Sequence, residues 1–174
     1  MIQREILAKL QEWKDSEYRK PLILRGARQV GKTTVVNELG RSFDNYLYFN
    51  LEDENTRNVF EFNMPLTDKI RMLFATRQQV RRDGSTLLFI DEIQNSPKTI
   101  SLLRYFYEEH PELHVIAAGS LLETAVDMKS SFPVGRVEYM ALRPCSFREF
   151  ISAVGKSHLF QIMEHPEFTV TIHS

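Results

Sequence analysis

Apolar residues recur at three- and four-residue steps at the start of the chain: Ile2, Ile6, Leu10 and Trp13, with Lys and Glu between them. That spacing predicts an amphipathic helix over residues 1–14. Leu22, Ile23 and Leu24 form a short continuous apolar run into Gly26, the mark of a strand buried on both faces. A helix is expected over 32–39, stopped by Gly40, and an aromatic, β-favouring strand over 46–51. Val59, Phe60 and Phe62 suggest a short helix, and Thr67 reads as the N-cap of the next, whose stripe is Ile70, Leu73, Phe74 and Val80. Asp83-Gly84 marks a turn before a second continuous apolar strand over 87–90. Ser96-Pro97 opens a helix with Ile100, Leu103 and Tyr107 on one side, followed by a strand over 115–118. A helix begins near Leu121, a fifth strand covers 137–140, and a last helix covers 146–154. Strands alternating with helices predict an α/β fold, a three-layer αβα sandwich on a mainly parallel five-stranded sheet.

A length of 174 residues suits one domain with a sizeable core. We place that core at 1–155 and a tail of unclear structure at 156–174. The net charge of −1 gives no electrostatic case for nucleic acid, and Arg77, Arg81 and Arg82 read as the wet side of a helix. Cys145 is the only cysteine, which excludes an intramolecular disulfide and a Cys-rich zinc site. No apolar run is long enough to span a bilayer and the N-terminus lacks a signal-peptide core, so the expectation is a cytoplasmic protein without membrane contact.

Candidate chemistry begins at Gly26-Ala27-Arg28-Gln29-Val30-Gly31-Lys32-Thr33, followed by Thr34, a full match to the phosphate-binding pattern G-x-x-x-x-G-K-[ST]. A chain of average composition and this length matches by accident about 0.5% of the time. Here the motif also leaves an apolar strand and opens a helix, as its mechanism demands. Glycines let the backbone wrap phosphates, whose charge meets inward amides at the positive end of the helix. Lys32 is placed for the β- and γ-phosphates and the Thr33 hydroxyl for Mg²⁺. The second apolar strand ends in Asp91-Glu92, the Walker B pattern. Asp91 would hold Mg²⁺ through water, and Glu92 would polarise an attacking water. Alone, such a pair is usually a solvated turn. Beside the first motif it argues for hydrolysis.

Ser120 ends the fourth strand and reads either as a γ-phosphate sensor or as the cap of the following helix. Arg136 suits stabilising phosphoryl charge, in its own subunit or across an interface, or is a solvated loop arginine. Arg28 has the same choice between phosphate, neighbour and surface. Tyr18 and Trp13 are candidates for packing near a base, with core or surface roles as the plainer reading. The absence of Asn-Lys-x-Asp argues against a GTPase, and the Asp-Glu pair fits water activation better than transfer to a bound acceptor.

The strings GARQVGKTT, LLFIDEIQ, AAGS, GR and LRPCSFREF resemble one group of bacterial and archaeal AAA-type ATPases, over residues 13–150. Gln94 and the Pro144, Ser146, Phe147, Glu149 and Phe150 signature are its more specific marks. The resemblance implies a P-loop NTPase sheet of the ASCE type, with the sensor strand between the other two motif strands. It implies ATP and Mg²⁺ as cofactors, with Glu92, Lys32, Ser120 and Arg136 in catalysis and Thr33 and Asp91 at the metal. Members usually continue into a C-terminal nuclease-like domain, which implies a truncation point after residue 155. A homo-oligomer or protein partner is the expected partner class besides ATP and ADP. The alternative to a hydrolase is an ATP-dependent switch with little turnover.

Overall fold

The structure, a computed structural model, describes residues 4–77, 84–120, 133 and 135–155. The elements in chain order are α1 (Ile6–Asp15), β1 (Leu22–Arg25), α2 (Lys32–Gly40), β2 (Asn45–Asn50), α3 (Glu54–Glu61), α4 (Leu66–Thr76), β3 (Thr86–Asp91), a 3₁₀ turn (Ile93–Asn95), α5 (Pro97–Glu109), β4 (Leu113–Gly119), β5 (Glu138–Ala141) and α6 (Phe147–Ala153). The tail 156–174, the helix expected near Leu121, Ile2, Val80, Arg81 and Arg82 lie outside the described residues.

The five strands form one parallel sheet in the order β2-β3-β4-β1-β5. Because side chains alternate across a strand, each apolar run feeds two cores. Leu22, Leu24, Leu87, Phe89, Ile116 and Ala118 face α1 and α2 together with Ile6, Leu10, Val35 and Val36. Ile23, Leu88, Ile90, Val115 and Ala117 face α3, α4 and α5, packing with Phe60, Leu73 and Phe106. This is the expected three-layer sandwich. It places β4 between β1 and β3, so the segments leaving these three strands share one edge of the sheet.

Four local expectations differ. The N-cap of α4 is Pro65, not Thr67, whose hydroxyl lies 3.2 Å from His110 Nε2. Phe106, rather than the half-buried Tyr107, completes the core stripe of α5, because Ile100, Leu103 and Phe106 repeat at three-residue steps. Phe62 is exposed beyond the end of α3. The fifth strand begins one residue later than its apolar pattern, with buried Val137 just ahead of it. Ser96 and Ser146 both cap as their sequences suggest, Ser146 in a reciprocal capping box with Glu149.

An unanticipated device closes α3. Lys69 is buried, and its Nζ donates to the carbonyls of Val59 (2.9 Å), Phe60 (2.8 Å) and Phe62 (2.7 Å). A cation on the orphan carbonyls of a helix end satisfies both hydrogen bonding and the helix dipole. Arg77, at the end of α4, sits 4.5 Å from the centre of the Phe49 ring and donates to the Tyr48 carbonyl, so it belongs to the packing of β2.

Candidate active site

The loop over 26–31 joins β1, an interior strand flanked by β4 and β5, to α2. Its first glycine is demanded by close approach: a Cβ on Gly26 would collide with the Leu142 carbonyl oxygen and lie 3.1 Å from Val30 Cγ2. Its second, Gly31, has φ +94° and stands as the N-cap of α2 without any side-chain cap. Gln29 is also left-handed, at φ +63°. Such turns direct successive backbone N–H groups into a concavity that binds anions.

Lys32, 6% exposed, bends back so that its Nζ donates to the carbonyls of Gly26 (2.8 Å) and Ala27 (2.9 Å). Thr33 reaches out of the first turn of α2, and its Oγ1 donates to Asp91 Oδ2 at 2.7 Å. Ala27, Arg28, Gln29 and Thr34 are exposed around the loop, and Val30 is half-buried.

Asp91 ends β3, 4% exposed. Its Oδ1 accepts the Glu92 backbone N–H at 3.0 Å, and the Tyr48 hydroxyl stands 3.5 Å from Oδ2. Burial, with the Glu92 charge adding to it, pushes the Asp91 carboxyl up, against the opposing hydrogen bonds of Thr33 and the Glu92 N–H. A buried carboxylate of raised affinity for protons is one that gains from a cation beside it. Glu92 has φ +54°, a conformation costing a non-glycine residue about 1–2 kcal/mol. The strained turn places its carboxylate just past the strand end, where Oε2 accepts from Gln94 Nε2.

Ser120 follows β4, whose Gly119 is in register with Arg25 of β1. Its Oγ is buried with no hydrogen-bond partner among the described residues, and so is Gln94 Oε1. Two orphaned polar atoms on the edge that carries Lys32, Thr33 and Asp91 are what a polar ligand would satisfy.

Arg136 is not brought to this cluster. It precedes β5, on the edge where the parallel strands begin, and its Nε donates to Glu108 Oε1 of α5 at 2.9 Å. Tyr18 is 83% exposed, and Trp13 is buried with its Nε1 donating to the Lys20 carbonyl, so neither faces the loop as a base platform. Two neighbours of the site escaped the sequence reading. Tyr48 sits on the edge strand β2 as an ordinary β-former, and Arg4 donates to the Val30 carbonyl at 2.9 Å from 26 residues away. Nothing local in the sequence marks either. Among the described residues no three His, Cys, Asp or Glu side chains converge on a metal position, and no helix is long and apolar enough to cross a membrane.

Residues 18–151 match the sequence profile of an AAA domain. The chain belongs to that family. No curated protein matches this AAA domain in sequence. In three dimensions it is similar to the Orc1 protein of Aeropyrum pernix, solved in complex with DNA, with a TM-score of 0.56 and 15% identity over 86% of this chain and 48% of that one. It is similar to the Drosophila ORC bound to DNA, again with a TM-score of 0.56, at 17% identity over 91% of this chain and 48% of that one. The AAA domain therefore spans about half the length of these chains, and what it shares with them is the fold.

Proposed function

We propose that this AAA domain binds ATP with Mg²⁺ on residues 26–34 and hydrolyses it to ADP and phosphate. The observation that carries the reading is the 2.7 Å contact between Thr33 Oγ1 and Asp91 Oδ2, made by residues 58 apart in the chain beside a buried Lys32. A hydroxyl and a buried carboxylate side by side fit the oxygen-donor chemistry of a hard divalent ion that keeps most of its waters. Thr33 and Asp91 would hold the ion, which would supply positive charge against that developing on the phosphates.

The chain's own groups then divide the work. Lys32 exchanges its hold on the Gly26 and Ala27 carbonyls for phosphate oxygens, and the uncapped amides at the start of α2 take the rest of that charge. Glu92 accepts a proton from the attacking water as its oxygen bonds to the γ-phosphorus and the bond to the ADP oxygen breaks. Ser120, whose Oγ has no partner among the described residues, would meet the γ-phosphate or that water. Gln94 Nε2 donates to Glu92 Oε2 and so occupies one of the two oxygens that could take the proton of the attacking water. That contact also supports the second reading, a nucleotide-dependent switch with slow turnover. Arg136, on the far edge of the sheet, fits a role on a second copy of the chain rather than on its own nucleotide.

Parallel assays of ATP binding and phosphate release with Mg²⁺ on wild type, Lys32→Ala and Glu92→Gln test this. The hydrolase reading expects Lys32→Ala to lose binding and Glu92→Gln to bind without turnover. Wild-type binding without phosphate release would leave the switch, and absence of binding would end both. The two similar structures hold DNA, but a net charge of −1 gives this chain no matching field, and turnover unchanged by added DNA is the expected result.

A further inference from the structure

Arg4 lies two residues ahead of α1, yet its guanidinium reaches three segments from other parts of the chain. Nη1 donates to the Val30 carbonyl (2.9 Å), Nη2 to the Arg143 carbonyl (2.6 Å) and Nε to Glu149 Oε1 (3.0 Å). The pair is secluded, with Arg4 12% and Glu149 7% exposed. We propose that Arg4 is a positioning residue for the phosphate loop, fixing the Val30–Gly31 peptide and bracing it against α6 through Glu149. The inference rests on the ATP-binding reading and names the group that keeps the loop in its binding shape.

Peptide geometry carries that hold from the carbonyl to the neighbouring amide. In a trans peptide the carbonyl of one residue and the N–H of the next point in opposite directions, and no peptide among the described residues is cis. A donor clamped on the Val30 carbonyl therefore holds the Gly31 N–H facing away from Arg4, on the opposite side of the plane. Gly31, at φ +94°, has the broadest conformational freedom of any residue type at this position, so without the clamp the plane is free to rotate. Arg4 Nη1 approaches to 3.6 Å from where a Gly31 Cβ would stand, so the clamp closes directly over the glycine.

The brace is itself saturated. Glu149 Oε1 also accepts the Glu5 backbone N–H (2.9 Å), and Oε2 accepts the Ser146 N–H (2.8 Å) while Ser146 Oγ accepts the Glu149 N–H (3.1 Å). Burial pushes the Glu149 carboxyl up, but the Ser146 and Glu5 donors and the Arg4 charge outweigh it and hold the group below the usual range. The carboxylate thus stays charged and in place. An arginine needed only to join α1 to α6 has no use for the loop carbonyl. Three acceptors on three segments call for the planar fork of a guanidinium, which a lysine cannot reproduce.

The test compares wild type, Arg4→Lys, Arg4→Ala, Glu149→Gln and the Arg4→Ala/Glu149→Gln double variant by ADP titration with Mg²⁺, by melting without nucleotide, and by backbone amide hydrogen exchange over residues 26–36 without nucleotide. Arg4→Lys keeps a cation beside Glu149 and should melt near wild type, yet bind ADP about tenfold more weakly, the cost of one charge-assisted hydrogen bond. Its Val35 amide, which closes the first turn of α2 onto the Gly31 carbonyl, should exchange faster while those of β3 and β4 do not change. Glu149→Gln should lower ADP affinity, and add nothing when combined with Arg4→Ala. The proposal is overturned if Arg4→Lys binds ADP within about twofold of wild type, or if exchange of the Val35 amide is unchanged. Should wild type bind no ADP, the ATP-binding reading falls, and the exchange comparison still decides whether Arg4 holds the loop.

Discussion

His114 opens β4 against the α1 and α2 layer, 7% exposed, between the rings of Trp13 (5.9 Å, edge-on) and Phe43 (4.8 Å, edge-on). Its Nε2 lies 3.2 Å from the Lys14 carbonyl, which can only accept, so the neutral ring carries its hydrogen on Nε2. Burial, reinforced by the charges of Arg19 and Lys14, lowers its pKa from the ordinary 6.5 to about 4. Between those values the unfolded chain binds the proton and the folded chain does not, so stability is lost as the pH falls from 6.5 toward 4. Integrated from pH 7.5 to pH 5, the loss from this one ring is about 2 kcal/mol. Asp44, Asp53 and Glu108 are held below the ordinary carboxylate range by hydrogen bonds from Ser85, Thr56 and Arg136 respectively, and they and the raised Asp91 are common to wild type and a His114 variant, so the difference between the two isolates the histidine. Urea unfolding at constant ionic strength across that range should show the midpoint falling by about 1 M in wild type. In His114→Gln, which keeps a donor for the Lys14 carbonyl but does not titrate, the fall should be largely absent. Parallel curves for the two proteins, or a flat wild-type curve, would refute the reasoning.

Three further outcomes are expected. Gly26→Ala drives a methyl group into the Leu142 carbonyl and should abolish ADP binding in a titration while urea unfolding stays cooperative, with a loss of about 1–3 kcal/mol. Lys69→Met strands the Val59, Phe60 and Phe62 carbonyls at the end of α3 and should cost about 3 kcal/mol in the same unfolding assay, whatever the nucleotide. Arg136→Ala breaks only a half-exposed pair with Glu108 and should leave the melting temperature unchanged. If Arg136 serves a second copy, it should also remove any rise of turnover per chain with protein concentration.

The sheet was legible because its strands are buried on both faces: runs such as Leu22-Ile23-Leu24 and Leu87-Leu88-Phe89-Ile90 read as strands with no knowledge of their neighbours. The gathering of Lys32, Thr33, Asp91 and Ser120 onto one edge followed from motif position and strand order. What could not be read is whatever depends on distant partners. Thr67 has the chemistry of a cap, but Pro65 ends the preceding segment in an extended conformation and starts α4 two residues earlier. Arg4 meets carbonyls and a carboxylate up to 145 residues away, and Lys69 meets a helix end that only folding brings near. Arg136 shows the same limit, since its spacing to the motifs says nothing about which edge of the sheet it occupies. Strand direction decides that.

The interior place of β1, between β4 and β5, also bears on the order in which a growing chain can assemble its site. Leu22 pairs with Ile116 on one side and Glu138 on the other, so the strand that ends in the phosphate loop has no strand partner until β4 has been made and is flanked on both sides only when β5 follows. On the ribosome the complete loop sequence emerges early and waits, its apolar strand exposed, while β2 and β3 are already able to pair with each other. Gly26, too, acquires its contact with Leu142 only at the end. Nascent chains released before residue 138 thus carry the motif without the Leu142 carbonyl against Gly26 and without the Glu149 partner of Arg4.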